Sequence, residues 1–223
     1  MVPDLLVTDL AGTVMREEGA VIAAYERALT AHAIPFTRDD LHARRGASKR
    51  AVFQELAARA HAPDEAKTLA VQALATFEAA LHSEYVSGPV QEVEGATETL
   101  RLLRARGIKL ALTSGFTRDL VDVLVDRLGW RDCFDLTLSS DDTPAGRPAP
   151  FLIFRAMIDL GVHAVSRVAV VGDTVLDLQA ASNARAGWMI GVLSGAHDLE
   201  TLGATAHTHL LPSIVAVPPL FAS

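Results

Sequence analysis

The sequence contains a single cysteine, Cys133, among its 223 residues. One thiol cannot form an intrachain disulfide and has no second cysteine with which to build a zinc site, so a reducing compartment is expected. No apolar run reaches the roughly 20 residues that a transmembrane helix needs, and the first residues lack the basic and apolar segments of a secretory signal. These absences predict a cytoplasmic protein that makes no contact with a membrane.

Positive charge is also scarce, because the formal net charge is −7. A nucleic-acid partner is therefore excluded, since such proteins need a basic face to neutralise phosphates. A small charged substrate in a local basic pocket is still compatible with this charge. Only three of the basic residues are lysines, namely Lys49, Lys67 and Lys109. A lysine in a chemically useful position is therefore easy to recognise.

Half of the residues are apolar, which is enough to bury a sizeable core. Short β-branched or leucine-rich runs alternate with helical patterns along most of the chain, and this alternation predicts an α/β fold with a parallel sheet and crossover helices. The predicted strands cover residues 5–9, 108–114, 134–139, 167–173 and 189–193.

The stretch from 15 to 88 breaks this alternation, because several helical patterns follow one another there without a strand. We therefore expect a Rossmann-like core domain formed by residues 1–14 and 89–223, with an inserted α-helical cap domain over residues 15–88. The alanine-rich helix that begins near Val21 is apolar enough to pair with a second copy of itself, which makes a homodimer one expected assembly.

Polar residues stand where predicted strands end. Asp9 follows Leu5-Leu6-Val7, Ser114 and Asp173 close two later strands, and Arg147 lies in the loop after the third strand. The carboxyl ends of parallel strands meet at one edge of a sheet, so these residues should converge there. An aspartate at this edge can act as a nucleophile or a metal ligand, and Gly12 lets backbone N–H groups approach an anion.

Four segments in this order resemble the haloacid dehalogenase (HAD) superfamily. They are Asp9-Leu10-Ala11-Gly12-Thr13, Lys109-Leu110-Ala111-Leu112-Thr113-Ser114-Gly115, Gly146-Arg147-Pro148-Ala149-Pro150, and Val170-Val171-Gly172-Asp173-Thr174 with Asp177. Ala11 and the residues around Arg147 are similar to those of phosphonoacetaldehyde hydrolases (phosphonatases) within that superfamily. The resemblance implies a mobile cap over the active site and a small phosphorylated or phosphonate substrate.

Three carboxylates in these segments predict a magnesium site. Asp9, Asp173 and Asp177 would repel one another at close range unless a cation lay between them, and Mg²⁺ prefers hard oxygen ligands. Asp9, Asp173 and the main-chain carbonyl of Ala11 are the expected direct ligands, while Asp177 holds a metal-bound water or orients a neighbour. Capping of the helix that begins near Val175 would explain Asp173 or Asp177 alone, but it would not explain why Asp9 joins them.

With its charge offset by the cation, Asp9 can attack phosphorus and form an aspartyl-phosphate that water later cleaves. The transferring group needs preorganised donors for its oxygens. Catalytic Ser114 and Arg147 are the expected side-chain donors, although the strand register leaves Thr113 as an alternative hydroxyl and Arg147 could instead be a solvated loop residue. Backbone N–H groups are expected from Gly12, Thr13 and Gly115.

Ala11 occupies the position at which most phosphatases of this superfamily carry an aspartate that protonates the leaving group, and an alanine cannot do so. Phosphonatases share this alanine and use a cap lysine that condenses with the substrate aldehyde. Lys49 has a matching place, because Ser48 is typical of a helix N-cap and Arg44, Arg45 and Arg50 lie nearby. The helix dipole and these arginines favour its neutral amine. A cation that only binds phosphate is the alternative role.

Three functions are therefore compatible with the sequence. The leading one is a Mg²⁺-dependent hydrolase that cleaves phosphonoacetaldehyde or a related small phosphonate, with Lys49 as a catalytic residue. The second is a phosphomonoesterase in which an acidic leaving group, a cap residue or water compensates for Ala11. The third is a catalytically weak protein that binds a phosphorylated metabolite or a partner protein. A halide-releasing dehalogenase is disfavoured, because its chemistry needs neither Asp173 nor Mg²⁺.

Overall fold

The computed structural model describes residues 2–221 and contains a six-stranded parallel sheet with the order β3-β2-β1-β4-β5-β6. The α/β fold class is therefore confirmed. The two central strands, β1 and β4, are buried along their whole length because helices cover both faces of the sheet. The strands are β1 Leu5–Asp9, β2 Lys109–Thr113, β3 Leu136–Leu138, β4 Val168–Gly172, β5 Trp188–Val192 and β6 His209–Leu211.

Five helices alternate with strands β2 to β6 along the chain: α5 Ala96–Ala105, α6 Arg118–Arg127, α7 Phe151–Asp159, α8 Val175–Ala184 and α9 Leu199–Gly203. The five predicted strands lie at the expected places, and β6 adds a sixth at the edge. The third strand is shorter than predicted, because Phe134 and Asp135 precede its pairing with β2. No helix within residues 2–221 is both long and apolar enough to cross a bilayer.

Four helices lie between β1 and α5, and we call them the helical insert: α1 Ala20–Ala31, α2 Arg38–Ala43, α3 Lys49–Ala58 and α4 Pro63–Ser87. Aromatic rings from three of them pack together at its centre. The ring centroid of Tyr25 lies 5.3 Å from that of Phe53 and 4.6 Å from that of Phe77. The helices thus match the pattern seen in the sequence, while their division into a separate domain stays a prediction.

The loop of the insert that precedes α3 lies directly on the sheet edge. The N–H of Lys49 donates to the carbonyl of Gly115 at 3.4 Å. A Cβ atom on Gly115 would lie 2.6 Å from the carbonyl oxygen of Ala47, and one on Gly146 would lie 2.9 Å from Cβ of Ser48. Two glycines of the core therefore permit the close approach of the residues just before Lys49.

Replacement of Gly115 by alanine is expected to lower the free energy of unfolding by about 1–3 kcal/mol, because the added methyl group would overlap the backbone of the insert. Gly203→Ala is a matched control, since its Cβ would meet only Cδ1 of Leu210 at an ordinary 3.9 Å. That control should be neutral or stabilising by up to about 1 kcal/mol. Urea unfolding measures both values, and equal effects at the two glycines would contradict the proposed contact.

Candidate active site

A cavity of about 50 Å³ lies at the carboxyl edge of the sheet, beneath the helical insert. The core contributes Asp9, Ser114 and Asp173 to its wall, and the insert or its entry loop contributes Glu17, Arg45 and Lys49. Strand ends that are far apart in sequence thus meet here, as expected for a parallel sheet. The small volume suits a compact substrate.

Three buried carboxylates lie close together at this site, and two of them, Asp9 and Asp173, line the cavity. One oxygen from each of Asp9, Asp173 and Asp177 lies within 4.8 Å of the others. Nη1 of Arg147 lies 2.5 Å from Oδ1 of Asp9 and 2.5 Å from Oδ1 of Asp177. One guanidinium therefore contacts two of the three carboxylates and fixes their positions.

Asp173 and Asp177 are held by further hydrogen bonds. The hydroxyl of Thr13 donates to Asp173 at 2.9 Å, and the N–H of Ala196 donates to it at 2.7 Å. The N–H of Thr174 donates to Oδ2 of Asp177 at 3.1 Å in a capping box at the start of α8. Both oxygens of Asp177, like both oxygens of Asp173, are thus engaged with protein groups, but only Asp177 shares Arg147 with Asp9.

The electrostatics of this cluster favour a bound cation. Burial raises the pKa of Asp9, although the charge of Arg147 opposes this effect. Burial also raises the pKa of Asp173, and the charges of Asp9 and Asp177 raise it further. Three acids facing one arginine would carry excess negative charge if all were ionised, and a cation would offset it; their oxygen atoms are the hard ligands that Mg²⁺ prefers. The donor set therefore fits Mg²⁺ at Asp9 and Asp173, with Ala11 beside them in the cavity wall.

The structure separates the two candidate hydroxyls. Ser114 is in the cavity wall, and its Oγ accepts the N–H of Phe116 at 3.1 Å. The hydroxyl of Thr113 instead donates to the carbonyl of Thr8 at 3.2 Å and accepts from Nη2 of Arg147 at 3.3 Å. Ser114 is therefore the hydroxyl that can meet a substrate in the cavity.

Three residues expected to contact the substrate lie behind the cavity wall. Thr13 bonds Asp173, Thr113 bonds Arg147, and Arg147 is engaged with Asp9 and Asp177. The physical reason is that the buried carboxylates need partners of their own. These contacts give the three residues a supporting role toward the carboxylates, while contact of the Thr13 N–H, the Thr113 hydroxyl and Arg147 with a substrate stays a prediction.

Lys49 is the first residue of α3, as predicted, and only 5% of it is exposed. Its Nζ donates to the carbonyl of Ala47 at 3.3 Å and lies 5.3 Å from the ring centroid of Phe116. Burial lowers the pKa of Lys49 to about 8, against the opposing charge of Asp9. The predicted direction is the same, but desolvation contributes more to it than the neighbouring arginines do.

Glu17 is a cavity residue that the sequence patterns did not single out. Its Oε1 accepts the N–H groups of Gly19 at 2.9 Å and Val21 at 3.0 Å, so it caps the start of α1 while facing the site. An acidic residue just before a helix is typical of such a capping role. That signal alone gives no indication that the side chain also reaches a cavity.

Comparison with known proteins places these features among hydrolases. The model of the haloacid dehalogenase-like hydrolase family matches residues 3–185. Phosphonoacetaldehyde hydrolases from Parabacteroides distasonis and Bacillus cereus are 34% and 36% identical to the chain over 110 residues. Each match covers 48% of this chain and 40% of the relative, so the chain matches less than half the length of these relatives. The crystal structure of a hydrolase from Pseudomonas syringae has a TM-score of 0.82 with 22% identity and covers 99% of this chain and 100% of its own.

Proposed function

The chain belongs to the haloacid dehalogenase-like hydrolase family, and we propose that it cleaves the carbon–phosphorus bond of phosphonoacetaldehyde or a related small phosphonate. The observation that carries this proposal is the placement of Lys49 in one small cavity with Asp9, beside Ala11. A buried amine near a carboxylate supplies the two nucleophiles that this reaction needs. The partial matches to phosphonoacetaldehyde hydrolases support the same assignment.

Lys49 acts first in the proposed reaction. Its neutral amine condenses with the substrate carbonyl and releases water, which leaves a protonated imine. That imine can accept the electron pair of the carbon–phosphorus bond, so no general acid is needed at the position of Ala11. The depressed pKa of Lys49 provides the neutral amine at a useful fraction near pH 8.

Asp9 then attacks phosphorus while the carbon–phosphorus pair moves into the imine to give an enamine. Ser114 and Gly115 line the cavity, and in this proposal the hydroxyl of Ser114 and the N–H of Gly115 bind the transferring oxygens. Protonation of the enamine at carbon and hydrolysis of the imine release the aldehyde and restore Lys49. Water cleaves the aspartyl-phosphate and restores Asp9.

Two supporting roles follow from the contacts. Arg147 holds the carboxylates of Asp9 and Asp177 in place. Asp9, Asp173 and the carbonyl of Ala11 would hold Mg²⁺, which when bound would offset the negative charge of the phosphoryl group and the carboxylates. We further propose that the helical insert is the cap domain, with 15–88 as its bounds, because it delivers Lys49 to the edge of the core sheet.

Borohydride reduction in the presence of phosphonoacetaldehyde is expected to attach the substrate carbons to Lys49 irreversibly, as read by peptide mass spectrometry. The initial rate of trapping should rise between pH 7 and pH 9. With a pKa of about 8, the neutral amine of Lys49 is about a tenth of the total at pH 7 and about nine tenths at pH 9. Lys67 and Lys109 serve as internal controls. Modification at these two residues but not at Lys49 would refute imine formation by Lys49.

A phosphomonoesterase is the second candidate, and the position of Glu17 in the cavity wall favours it. This carboxylate lines the cavity from the insert side and could supply the proton that Ala11 cannot. Turnover of phosphate esters with no trapped adduct would support this candidate. Mg²⁺-dependent binding without any turnover would instead support the catalytically weak protein.

A further inference from the structure

Arg45 lines the same cavity as Asp9 and Lys49, yet the proposed reaction gives it no part. Its Nε is buried and has no hydrogen-bond partner within residues 2–221. A buried donor atom without a partner is costly, so the Nε of this half-buried arginine is expected to meet an acceptor in the cavity, and an anion is the acceptor that complements its charge.

The neighbouring arginines differ from Arg45 in this respect. Arg44 pairs with Asp40 at 3.2 Å and with Glu55 at 2.8 Å. Arg50 lies 3.5 Å from Asp141 and is largely exposed. Arginines before and after Arg45 thus have carboxylate partners on the protein, whereas the Nε of Arg45 is left for a ligand.

The carboxylate of the insert that shares the cavity is already engaged. Oε1 of Glu17 accepts the N–H groups of Gly19 and Val21 at the start of α1. Glu17 therefore already serves the backbone of α1, and an anion for Arg45 is better supplied from outside the chain. Arg45 also precedes Lys49 by only four residues, and both line the cavity.

These placements define three positions for a bound substrate. The phosphoryl group is at Asp9 and the carbonyl carbon is at Lys49 in the proposed reaction. Arg45 and Lys49 both come from the insert and line the same cavity, so the anionic group for Arg45 is assigned to the part of the substrate next to the carbonyl. A planar carboxylate matches the fork of a guanidinium.

We propose that Arg45 is a specificity-determining residue that binds a carboxylate on the carbonyl carbon of the substrate. The preferred substrate is then a 2-oxo-3-phosphono acid, of which 3-phosphonopyruvate is the smallest member. This inference rests on the proposed function and narrows its substrate class. Lys49 forms the imine with loss of water, the carbon–phosphorus pair moves into that imine, and the phosphoryl group passes to Asp9. Protonation at carbon and hydrolysis then release a 2-oxo acid and phosphate.

The test compares two ligands that cannot react, because neither has a carbonyl. In the presence of Mg²⁺, calorimetry should show that the full chain binds 3-phosphonopropionate about 10- to 100-fold more tightly than propylphosphonate, the range expected for a charge-assisted hydrogen-bonded pair. Arg45→Ala should reduce this preference to less than about threefold. Arg50→Ala removes an equal charge nearby and should retain the preference.

Several outcomes would overturn the role of Arg45. The wild-type chain could bind both ligands equally tightly, or Arg45→Ala could leave the preference for 3-phosphonopropionate unchanged. The Arg45→Ala variant could also bind both ligands more weakly by the same factor, which would assign Arg45 to the phosphonate group. Arg45→Gln gives a second neutral variant of similar length and should lose the preference in the same way. Turnover of phosphonoacetaldehyde together with equal binding of the two ligands would refute only the role of Arg45. A preference for 3-phosphonopropionate without any carbon–phosphorus cleavage would refute only the proposed function.

Discussion

Replacement of Asp9 by asparagine is expected to lower turnover of every phosphonate and phosphate ester by about 10⁴-fold or more, because the variant cannot form an aspartyl-phosphate. Asparagine has nearly the same shape, so the loss reports on chemistry and not on packing. The measurement is release of inorganic phosphate at saturating substrate with Mg²⁺ present.

Asp141→Asn is the matched control for this loss. Asp141 lies near the same edge of the sheet and pairs with Arg50, but it is outside the cavity wall. Its replacement should change turnover by less than about threefold, as expected for an exposed ion pair. Retention of more than about 1% of activity by Asp9→Asn would exclude an obligatory aspartyl-phosphate.

The surroundings of Asp9 explain why a buried aspartate can serve as a nucleophile. Burial among two other carboxylates favours its protonated form, which would be a poor nucleophile. Arg147 opposes that effect through a direct contact with Oδ1. Since the same guanidinium also contacts Asp177, a change at Arg147 would disturb the nucleophile and its neighbour together.

The position of the site could be predicted from the sequence because of one regularity of parallel sheets. Asp9, Ser114 and Asp173 each follow a short apolar run, and the carboxyl ends of such strands meet at one edge. The place of Lys49 at the start of α3 was also predictable, because Ser48 precedes an amphipathic pattern. Both the strand ends and the helix start can be recognised from neighbouring residues in the sequence.

The orientation of side chains could not be predicted in the same way. Thr113 and Ser114 are adjacent hydroxyls, and Ser114, which comes just after the end of β2, is the one that lines the cavity. The burial of Lys49 depends on Phe116 from the core, far away in the sequence. The contacts of Arg147 with Asp9 and Asp177 could not be predicted either, because they depend on the burial of those carboxylates.

Replacement of Lys49 by arginine is expected to lower carbon–phosphorus cleavage by at least about 10³-fold while changing phosphate ester hydrolysis by less than about tenfold. Arginine keeps the positive charge but stays protonated, so it cannot form an imine. A lysine that served only to bind phosphate would lose far less on this change. The measurement is phosphate release from phosphonoacetaldehyde and from an aryl phosphate under identical conditions.

Lys109→Arg provides the comparison for this result, because Lys109 begins β2 at an exposed position remote from the cavity wall. Both activities of that variant should stay within about twofold of the unaltered chain, as is usual for a surface substitution. Equal losses on the two substrates in Lys49→Arg would point to a purely electrostatic lysine and hence to the phosphomonoesterase. Selective loss of carbon–phosphorus cleavage assigns to Lys49 the electron sink that compensates for Ala11.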